Sequence, residues 1–262
     1  SQSNNTASLT EKILPTVTNV TSTTSDGSYK QGQTIAITVV FSETVNVTGT
    51  PQLTLETGGS DAVVDYSSGT GSNTLTFNYT IGSGETSSDL DYVATNSLAL
   101  NSGTIKDAAG NAATLTLASP GASNSLGNNK ALIVDTTVPT VTNVTSTTSD
   151  DSYKQGETIA IKVVFSETVN VTGTPQLTLE TGGSDAVVDY SSGTGSNTLT
   201  FNYTIGSGET SSDLDYVATN SLALNSGTIK DAAGNAATLT LASPGASNSL
   251  GNNKALIVDT SV

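Results

Sequence analysis

Several residue types are missing from this chain of 262 residues, and each absence excludes a class of function. It contains no cysteine, histidine, methionine or tryptophan, and its eight basic residues are all lysine. Without histidine or cysteine, an ordinary pair of nucleophile and base cannot be assembled, and the preferred ligands of zinc and copper are lacking. Two carboxylates could still hydrolyse a glycoside, but the tryptophan platform that usually holds a sugar is absent. We therefore expect no enzymatic activity.

Disulfide bonds and membrane-spanning segments are excluded as well. A domain of about 120 residues buries enough apolar surface to fold without disulfides, so the lack of cysteine fits a secreted location as well as a cytosolic one. No apolar run in the sequence approaches the length that crosses a bilayer, and we expect no direct insertion into a membrane. Any additional crosslink has to come from another source, of which a bound metal ion is the obvious candidate.

Acidic residues dominate the charge of the chain. There are 23 aspartates and glutamates, and the formal net charge is -15. A field of this sign repels nucleic acid and anionic lipid and attracts cations. The hydrophobic content of 34% is low for a globular protein, but the apolar residues fall in patterned runs, which argues against disorder.

The sequence consists of one long unit that occurs twice. Residues 15–137 recur as residues 139–261, and the copies differ only at Gly27/Asp151, Gln33/Glu157, Thr38/Lys162 and Thr137/Ser261. A repeat of this length is a whole domain. We therefore predict two tandem domains, residues 15–137 and 138–262, preceded by residues 1–14 as a linker or the tail of an upstream repeat. Glu11 precedes Asp135 by one repeat length, so these two acidic residues occupy equivalent positions.

Alternation of apolar and polar residues predicts strands throughout each copy. In TIAITVVFS (34–42) and NTLTFNYTIG (73–82), one face is apolar and the other is rich in threonine, and the change from Thr38 to Lys162 falls on the predicted solvent face. Shorter runs predict strands at 52–56, 62–66, 113–117 and 131–135. In residues 16–22, Val17 and Val20 would point to opposite faces of a regular strand, which implies a β-bulge. These short strands, separated by turn residues, predict an all-β fold of two antiparallel immunoglobulin-like sandwiches. No helix longer than one turn is required.

The predicted strand order places acidic loops at the two ends of each sandwich. Asp26, Glu85, Asp89 and Asp91 should lie at the pole of the first domain that is opposite its N-terminus. Glu167, Asp231 and Asn235 should gather at the N-terminal pole of the second domain, with Asp135 between the two groups. Carboxylates brought together in this way need neutralisation, and Ca²⁺ accepts six to eight oxygen ligands in flexible geometry. Pro139 fixes φ at the start of the second copy.

The runs SYKQGQTIAITVVFSETV, TGTPQLTLE, LDYVATNSLAL, IKDAAGNAA and VDTTVPTV resemble the calcium-dependent immunoglobulin-like extender repeats of giant bacterial surface adhesins. The resemblance covers both copies. It implies repeats that hold a terminal binding domain away from the cell and stiffen when Ca²⁺ binds between neighbours. It also implies ligands at the acidic positions of those runs, which are Glu43 and Glu167, Asp91 and Asp215, Asp107 and Asp231, and Asp135 and Asp259. The nonapeptides of adhesin export regions and the EF-hand loop are both absent.

The complete set of candidate metal ligands is Glu11, Glu43, Asp89, Asp91, Asp107, Asn111, Asp135, Glu167, Asp213, Asp215, Asp231, Asn235 and Asp259. Other interpretations of these residues stay open. The DAAGN segments could be turns capped by aspartate. The Asp89 and Asp91 pair could be a solvated edge that discourages aggregation, and Glu43 could be an ordinary loop carboxylate.

We expect the chain to be a monomeric piece of a bacterial cell-surface stalk, located outside the cell, with neighbouring identical repeats as its partners and Ca²⁺ as its bound ion. The alternative is an accessory carbohydrate- or matrix-binding sandwich of a secreted multidomain protein. A binding module of that kind needs a groove, and the sequence predicts none. Threonine runs such as TLTL could form an ice-binding face, although alternating threonine on the outer face of any sandwich strand looks the same.

Overall fold

The computed structural model describes residues 13–261, and these residues form almost only β-structure. The chain divides into two compact units between Thr136 and Thr137. Each unit is a β-sandwich, which confirms the predicted fold class. Among the described residues, no helix is long and apolar enough to cross a lipid bilayer.

The two units contain the same elements in the same order. Those of the first unit are β1 (Val17–Ser22), β2 (Gly27–Tyr29), β3 (Thr34–Thr48), β4 (Gln52–Leu55), β5 (Ala62–Ser68), β6 (Ser72–Thr80), β7 (Thr86–Ser87), β8 (Leu98–Ala99), β9 (Thr104–Lys106), α1 (Leu126–Asn129) and β10 (Leu132–Asp135). Those of the second unit are β11 (Val141–Ser146), β12 (Asp151–Tyr153), β13 (Thr158–Thr172), β14 (Gln176–Leu179), β15 (Ala186–Ser192), β16 (Ser196–Thr204), β17 (Thr210–Ser211), β18 (Leu222–Ala223), β19 (Thr228–Lys230), α2 (Leu250–Asn253) and β20 (Leu256–Asp259).

Each unit has one large sheet and one small sheet. In the first unit the large sheet has the order β1-β3-β6-β5-β4-β8, with β9 paired to β3, and the small sheet has the order β2-β10-β7. All pairings are antiparallel except the one between β10 and β2, which is parallel. The second unit repeats this arrangement.

The alternating runs fill the core as predicted. Ile35, Ile37, Val39 and Phe41 of β3 are fully buried, as are the facing apolar residues of β6. Phe77 of β6 meets Tyr66 edge to face, with ring centroids 6.2 Å apart. This geometry is favourable for two aromatic rings. The burial of one face of each strand against the opposite layer is the main stabilising contribution to each unit.

Irregularities interrupt two strands of the large sheet. The pairing of β1 with β3 shifts register between Val17 and Asn19, which confirms the predicted bulge. The pairing of β3 with β6 is interrupted between Val40 and Val45, after which β3 continues and pairs with β9. β3 therefore pairs mainly with β6 before the interruption and with β9 after it, and Glu43 lies in the interruption. The only helices among residues 13–261 are one turn long, as expected.

Two details differ from the sequence prediction. Residues 113–117 and 237–241 are not strands, because their backbone groups bond to three different neighbours instead of one ladder. In the first unit these bonds run from Ala113 to Ile105, from Thr114 to Pro15 and from Leu117 to Thr95. Thr38, predicted to face solvent, is only 7% exposed, since its cross-strand partners Thr21 of β1 and Thr76 of β6 flank it on the outer face of the sheet.

The large sheet opens between β5 and β6, and this groove was not predicted. The two strands pair at Tyr66 with Phe77 and at Ser68 with Thr76, but residues 62–65 of β5 pair only with β4. The resulting concavity, here called the β5–β6 groove, is lined by Asp61, Ala62, Val63, Val64, Asp65, Tyr66, Ser67, Asn78, Tyr79, Thr80 and Glu85. The second unit has the equivalent groove between β15 and β16.

Candidate metal centres

Two acidic residues of the second unit come together at its N-terminal pole. Glu167 lies in the interruption of β13, and Asp231 directly follows β19. These strands pair with each other, with Asn170 opposite Lys230, so the residues just beyond the paired segment are brought close. Carboxylate oxygens of Glu167 and Asp231 lie within 4.8 Å of each other. The sequence prediction that these two residues gather is therefore matched by the geometry of the unit.

Asp231 is held in a tight turn by donors from its own loop. Its Oδ1 accepts from the backbone N–H groups of Gly234 and Asn235 at 2.7 and 2.8 Å. Its Oδ2 accepts from Nδ2 of Asn235 at 2.8 Å. Only 5% of Asp231 and 9% of Asn235 is exposed. Each carboxylate oxygen has two lone pairs, so these bonds occupy both lone pairs of Oδ1 and fix the carboxylate, while Oδ2 keeps one lone pair with which it can coordinate a cation.

The first unit carries the same turn. Asp107 follows β9, its Oδ1 accepts from the N–H of Asn111 at 2.7 Å, and its Oδ2 accepts from Nδ2 of Asn111 at 2.6 Å. Desolvation raises the pKa of Asp107, but the hydrogen bonds from Asn111, Ala109 and Gly110 outweigh it and hold this pKa below the ordinary value. The capped-turn interpretation of DAAGN is thus satisfied at both copies, and it is compatible with a metal ligand at the same carboxylate.

Glu43, the counterpart of Glu167 in the first unit, has a buried carboxylate oxygen. Within the described residues, its Oε1 is shielded from solvent and has no hydrogen-bond partner. A buried acceptor without a partner costs on the order of 1–3 kcal/mol, and more when it is charged. Such an atom in a native fold calls for a counterpart, and a cation is one that suits a carboxylate. Glu11, the candidate that corresponds to Asp135, lies outside the described residues.

A second acidic pair lies beside the helical turn of each unit. A Cβ placed on Gly127 would be 3.0 Å from Oδ2 of Asp91 and 3.4 Å from Oδ2 of Asp89, so both carboxylates face the same backbone. Asp91 is 8% exposed and accepts from the N–H groups of Tyr92 and Gly121, both at 2.9 Å. Asp213, Asp215 and Gly251 repeat the arrangement. Among residues 13–261, no third acidic, histidine or cysteine side chain completes either pair.

The pKa shift in this pair is opposite in direction to that of Asp107. Burial raises the pKa of Asp89, and the neighbouring Asp91 raises it further. Asp213 is shifted in the same direction for the same reasons. A carboxyl with a raised pKa gains the most from a cation that neutralises it. Asp89 and Asp213 are themselves exposed, as residues of a solvated acidic edge are.

The other acidic residues named from the sequence lie in different surroundings. Asp135 ends β10 and is half-buried, and Asp259 ends β20 and is exposed. The Ser261 hydroxyl and N–H group lower the pKa of Asp259. Asp26 is paired with Lys130 at 2.8 Å, and the carboxylate of Glu85 accepts from the Tyr79 hydroxyl at 2.7 Å. Asp26 and Glu85 therefore already have partners of their own.

The donor set at the N-terminal pole fits Ca²⁺. The two side chains that come together there, Glu167 and Asp231, both offer carboxylate oxygens. Ligands bind Ca²⁺ at about 2.3–2.6 Å, so two ligand oxygens on one ion can be separated by up to about 5 Å, which accommodates the separation of at most 4.8 Å between Glu167 and Asp231. Magnesium prefers stricter octahedral geometry and retains more water. We assign no catalytic role to these groups.

Sequence reasoning missed the residues of the β5–β6 groove. AVVDY was predicted as a strand, but the acids on its outer face were not connected with binding. The signal was present, because Asp61, Val63 and Asp65 alternate with the inward-facing Ala62 and Val64.

Comparison of the chain with protein-family models and with curated proteins gives no match.

Proposed function

We propose that this chain is a pair of structural extender repeats from the stalk of a bacterial cell-surface adhesin. In this proposal the protein acts outside the cell and carries out no reaction. Its role is to bind Ca²⁺ where one repeat follows another and so to restrict bending of the stalk. Its partners are neighbouring repeats of the same kind.

The observation that carries the proposal is the pair of carboxylates at the N-terminal pole of the second unit. Oxygens of Glu167 and Asp231 lie within 4.8 Å of each other. At an effective dielectric constant of about 20, two charges at such a distance repel by on the order of 3 kcal/mol. A divalent cation bound between the two carboxylates would replace this repulsion with attraction, although Asp231 is buried and Glu167 partly buried.

The sequence between the two units supports the same role. Asp135 is the last residue of β10, and Pro139 follows it after three residues. We propose that Asp135 supplies a further ligand to the ion held by Glu167 and Asp231. Ca²⁺ would then cross-link the end of one repeat to the start of the next, a constraint that a chain without cysteine cannot obtain from a disulfide.

Calorimetric titration of the full chain with CaCl₂, after dialysis against chelator, tests the proposal. We expect saturable binding that raises the melting temperature, and small-angle scattering should give a narrower distribution of maximum dimensions with Ca²⁺ than with chelator. Mg²⁺ at the same concentration should have a much smaller effect. Unchanged melting curves and scattering profiles after chelation would contradict the proposal.

Amino-acid substitutions test which residues bind Ca²⁺. Glu167→Gln should weaken Ca²⁺ binding at this site at least tenfold, because it removes one charged ligand and leaves the side-chain shape intact. A matched control is the double variant D151G/E157Q, which also lowers the negative charge of the second unit but carries the residues that the first copy has at Gly27 and Gln33. If the control loses as much affinity as Glu167→Gln, the effect comes from net charge and the assigned ligands are wrong.

A further inference from the structure

The β5–β6 groove presents free backbone groups on the strand that forms one of its walls. Thr54 of β4 donates its N–H to Ser97 and accepts at its C=O from Val93, both on the side away from β5. Thr54 and its partner Val63 are therefore a non-hydrogen-bonded pair of the β4–β5 ladder. In such a pair the N–H and C=O of both residues point outward. The N–H and C=O of Val63 thus point into the groove.

The opposite wall has the same property. Ile81 donates its N–H to Gln33 and accepts at its C=O from Gly32, on the β3 side of the sheet. Since successive residues of a strand point their backbone groups in opposite directions, the N–H and C=O of Thr80 point away from β3 and into the groove. Thr80 pairs with Thr34 of β3, and β5 does not extend its ladder to it. Two strand edges therefore face each other across an opening.

The side chains around this opening are acidic and apolar. Val63 and Asp65 lie on the outer face of β5, Asp61 directly precedes the strand, and all three residues are exposed. Among residues 13–136, Val63 is the most exposed large hydrophobic residue after Ile13, at 56%. Asp65 is oriented by Nε2 of Gln52 at 2.9 Å, and Glu85 lies at the groove as well. None of the residues that line the groove is basic.

We propose that the β5–β6 groove of each unit binds an extended segment of a partner protein in which lysine or arginine residues flank a small apolar residue at alternating positions. The segment adds to the free edge of β5 and forms backbone hydrogen bonds with Val63. Its basic side chains lie opposite Asp61 and Asp65, and its central apolar side chain covers Val63, as cross-strand neighbours do.

Charge selects this occupant over a second copy of the chain. Two copies each carry a net charge of -15, and their like-charged strand edges would repel. A cationic segment instead gains attraction at every acidic position along the groove. The inference is independent of the proposed calcium sites, because the groove and those sites share no residue.

The test uses the intact chain and a labelled peptide of sequence Thr-Lys-Thr-Val-Thr-Lys-Thr. Fluorescence anisotropy in chelator and low salt should show saturable binding, and calorimetry should give two peptides per chain. Backbone amide resonances of Val63 and Thr80, and of Val187 and Thr204 in the second unit, should shift on titration. Three control peptides should bind at least fivefold more weakly: one with glutamate for lysine, one with the lysines adjacent, and one with an N-methylated valine.

Matched variants separate the groove from general charge attraction. D61N/D65N/D185N/D189N should reduce affinity at least fivefold. The control E56Q/D151G/E157Q/E180Q removes the same number of charges outside the groove and should retain most of the affinity. Equal losses in the two variants, binding of the adjacent-lysine peptide with undiminished affinity, or no shift at Val63 would each overturn the proposal.

Discussion

The acidic residues of this protein differ mainly in whether a hydrogen-bond or ion-pair donor stabilises the charged carboxylate. Asp26 has Lys130, and Asp107 and Asp231 have the donors of their own turns. The bond from Lys130 lowers the pKa of Asp26. Among residues 13–261, no such donor lowers the pKa of Asp89, and desolvation together with the neighbouring Asp91 raises it. The formal charge of the chain therefore conceals acids that favour folding and acids that oppose it.

The pH dependence of Asp89 and Asp213 follows from this raised pKa. In the unfolded chain the pKa of each aspartate is near 3.8, and in the folded state it is higher. The folded state therefore binds the proton more tightly, and ionisation of these groups opposes folding above the raised pKa. In chelator, we expect D89N/D213N to melt at a higher temperature than the parent at pH 7. The advantage should disappear as the pH falls below 3.8, where both states are protonated.

Calorimetric melting curves between pH 3 and pH 8 measure this difference. D26N/D150N is the control of opposite sign, because it removes ion pairs whose acids have a lowered pKa. It should melt at a lower temperature than the parent at pH 7. A D89N/D213N protein that is less stable than the parent throughout, in chelator, would show that these aspartates are not under electrostatic strain.

At the scale of elements, the one-turn helix of each unit depends on a glycine. A side chain on Gly127 would meet Asp91, whose Oδ2 is fixed by the N–H of Gly121. We expect Gly127→Ala to lower the stability of the first unit by about 1 kcal/mol, since overpacking exceeds the gain in helix propensity. The melting temperature of that unit should fall by about 3–6 °C.

Gly59→Ala is the matched control for this substitution. A Cβ on Gly59 has no neighbour within 4 Å. The free energy of unfolding of the Gly59→Ala variant should therefore stay within about 0.5 kcal/mol of that of the parent. Thermal melting followed by circular dichroism distinguishes the two variants. Equal stability of Gly127→Ala and the parent would mean that Asp91 moves freely, and the described geometry of the acidic pair would then be wrong.

Local patterns predicted the elements better than their partners. Alternation located β3 and β6 and the bulge in β1, because burial of one face fixes parity. It failed at residues 113–117, where apolar alternation exists but no single neighbouring strand is available. The proximity of Glu167 and Asp231 depends on the pairing of β13 with β19, across about 60 residues. The opening between β5 and β6 depends on where a ladder stops. Neither the proximity of these two acids nor this opening can be predicted from the local alternation of apolar and polar residues.

At the scale of the whole molecule, the chain holds two nearly identical cores. Phe77 and Phe201 occupy equivalent, fully buried positions in separate hydrophobic clusters. Loss of either aromatic side chain should cost about 3–5 kcal/mol, and the cost should fall on one cluster alone. Each substitution therefore probes one unit inside the intact chain.

In chelator, we expect Phe77→Ala to split the melting profile into two transitions. One should lie well below the parental melting temperature, and the other should coincide with it. Phe201→Ala is the mirror-image control and should give the same pattern with the units exchanged. Differential scanning calorimetry measures both. A single transition at an intermediate temperature in both variants would contradict independent folding of the two units.

The parallel pairing of β10 with β2 affects how each unit bears mechanical load. β10 ends its unit and lies between β2 and β7, so the chain leaves the fold directly from a strand that is bonded on both sides. Tension directed along β10 from Asp135 acts across its hydrogen bonds, which are perpendicular to the strand in the antiparallel pair with β7 and slanted in the parallel pair with β2. All of these bonds are then sheared together instead of being peeled apart one after another. Each sandwich therefore resists stretching through its own last strand, whether or not an ion is bound.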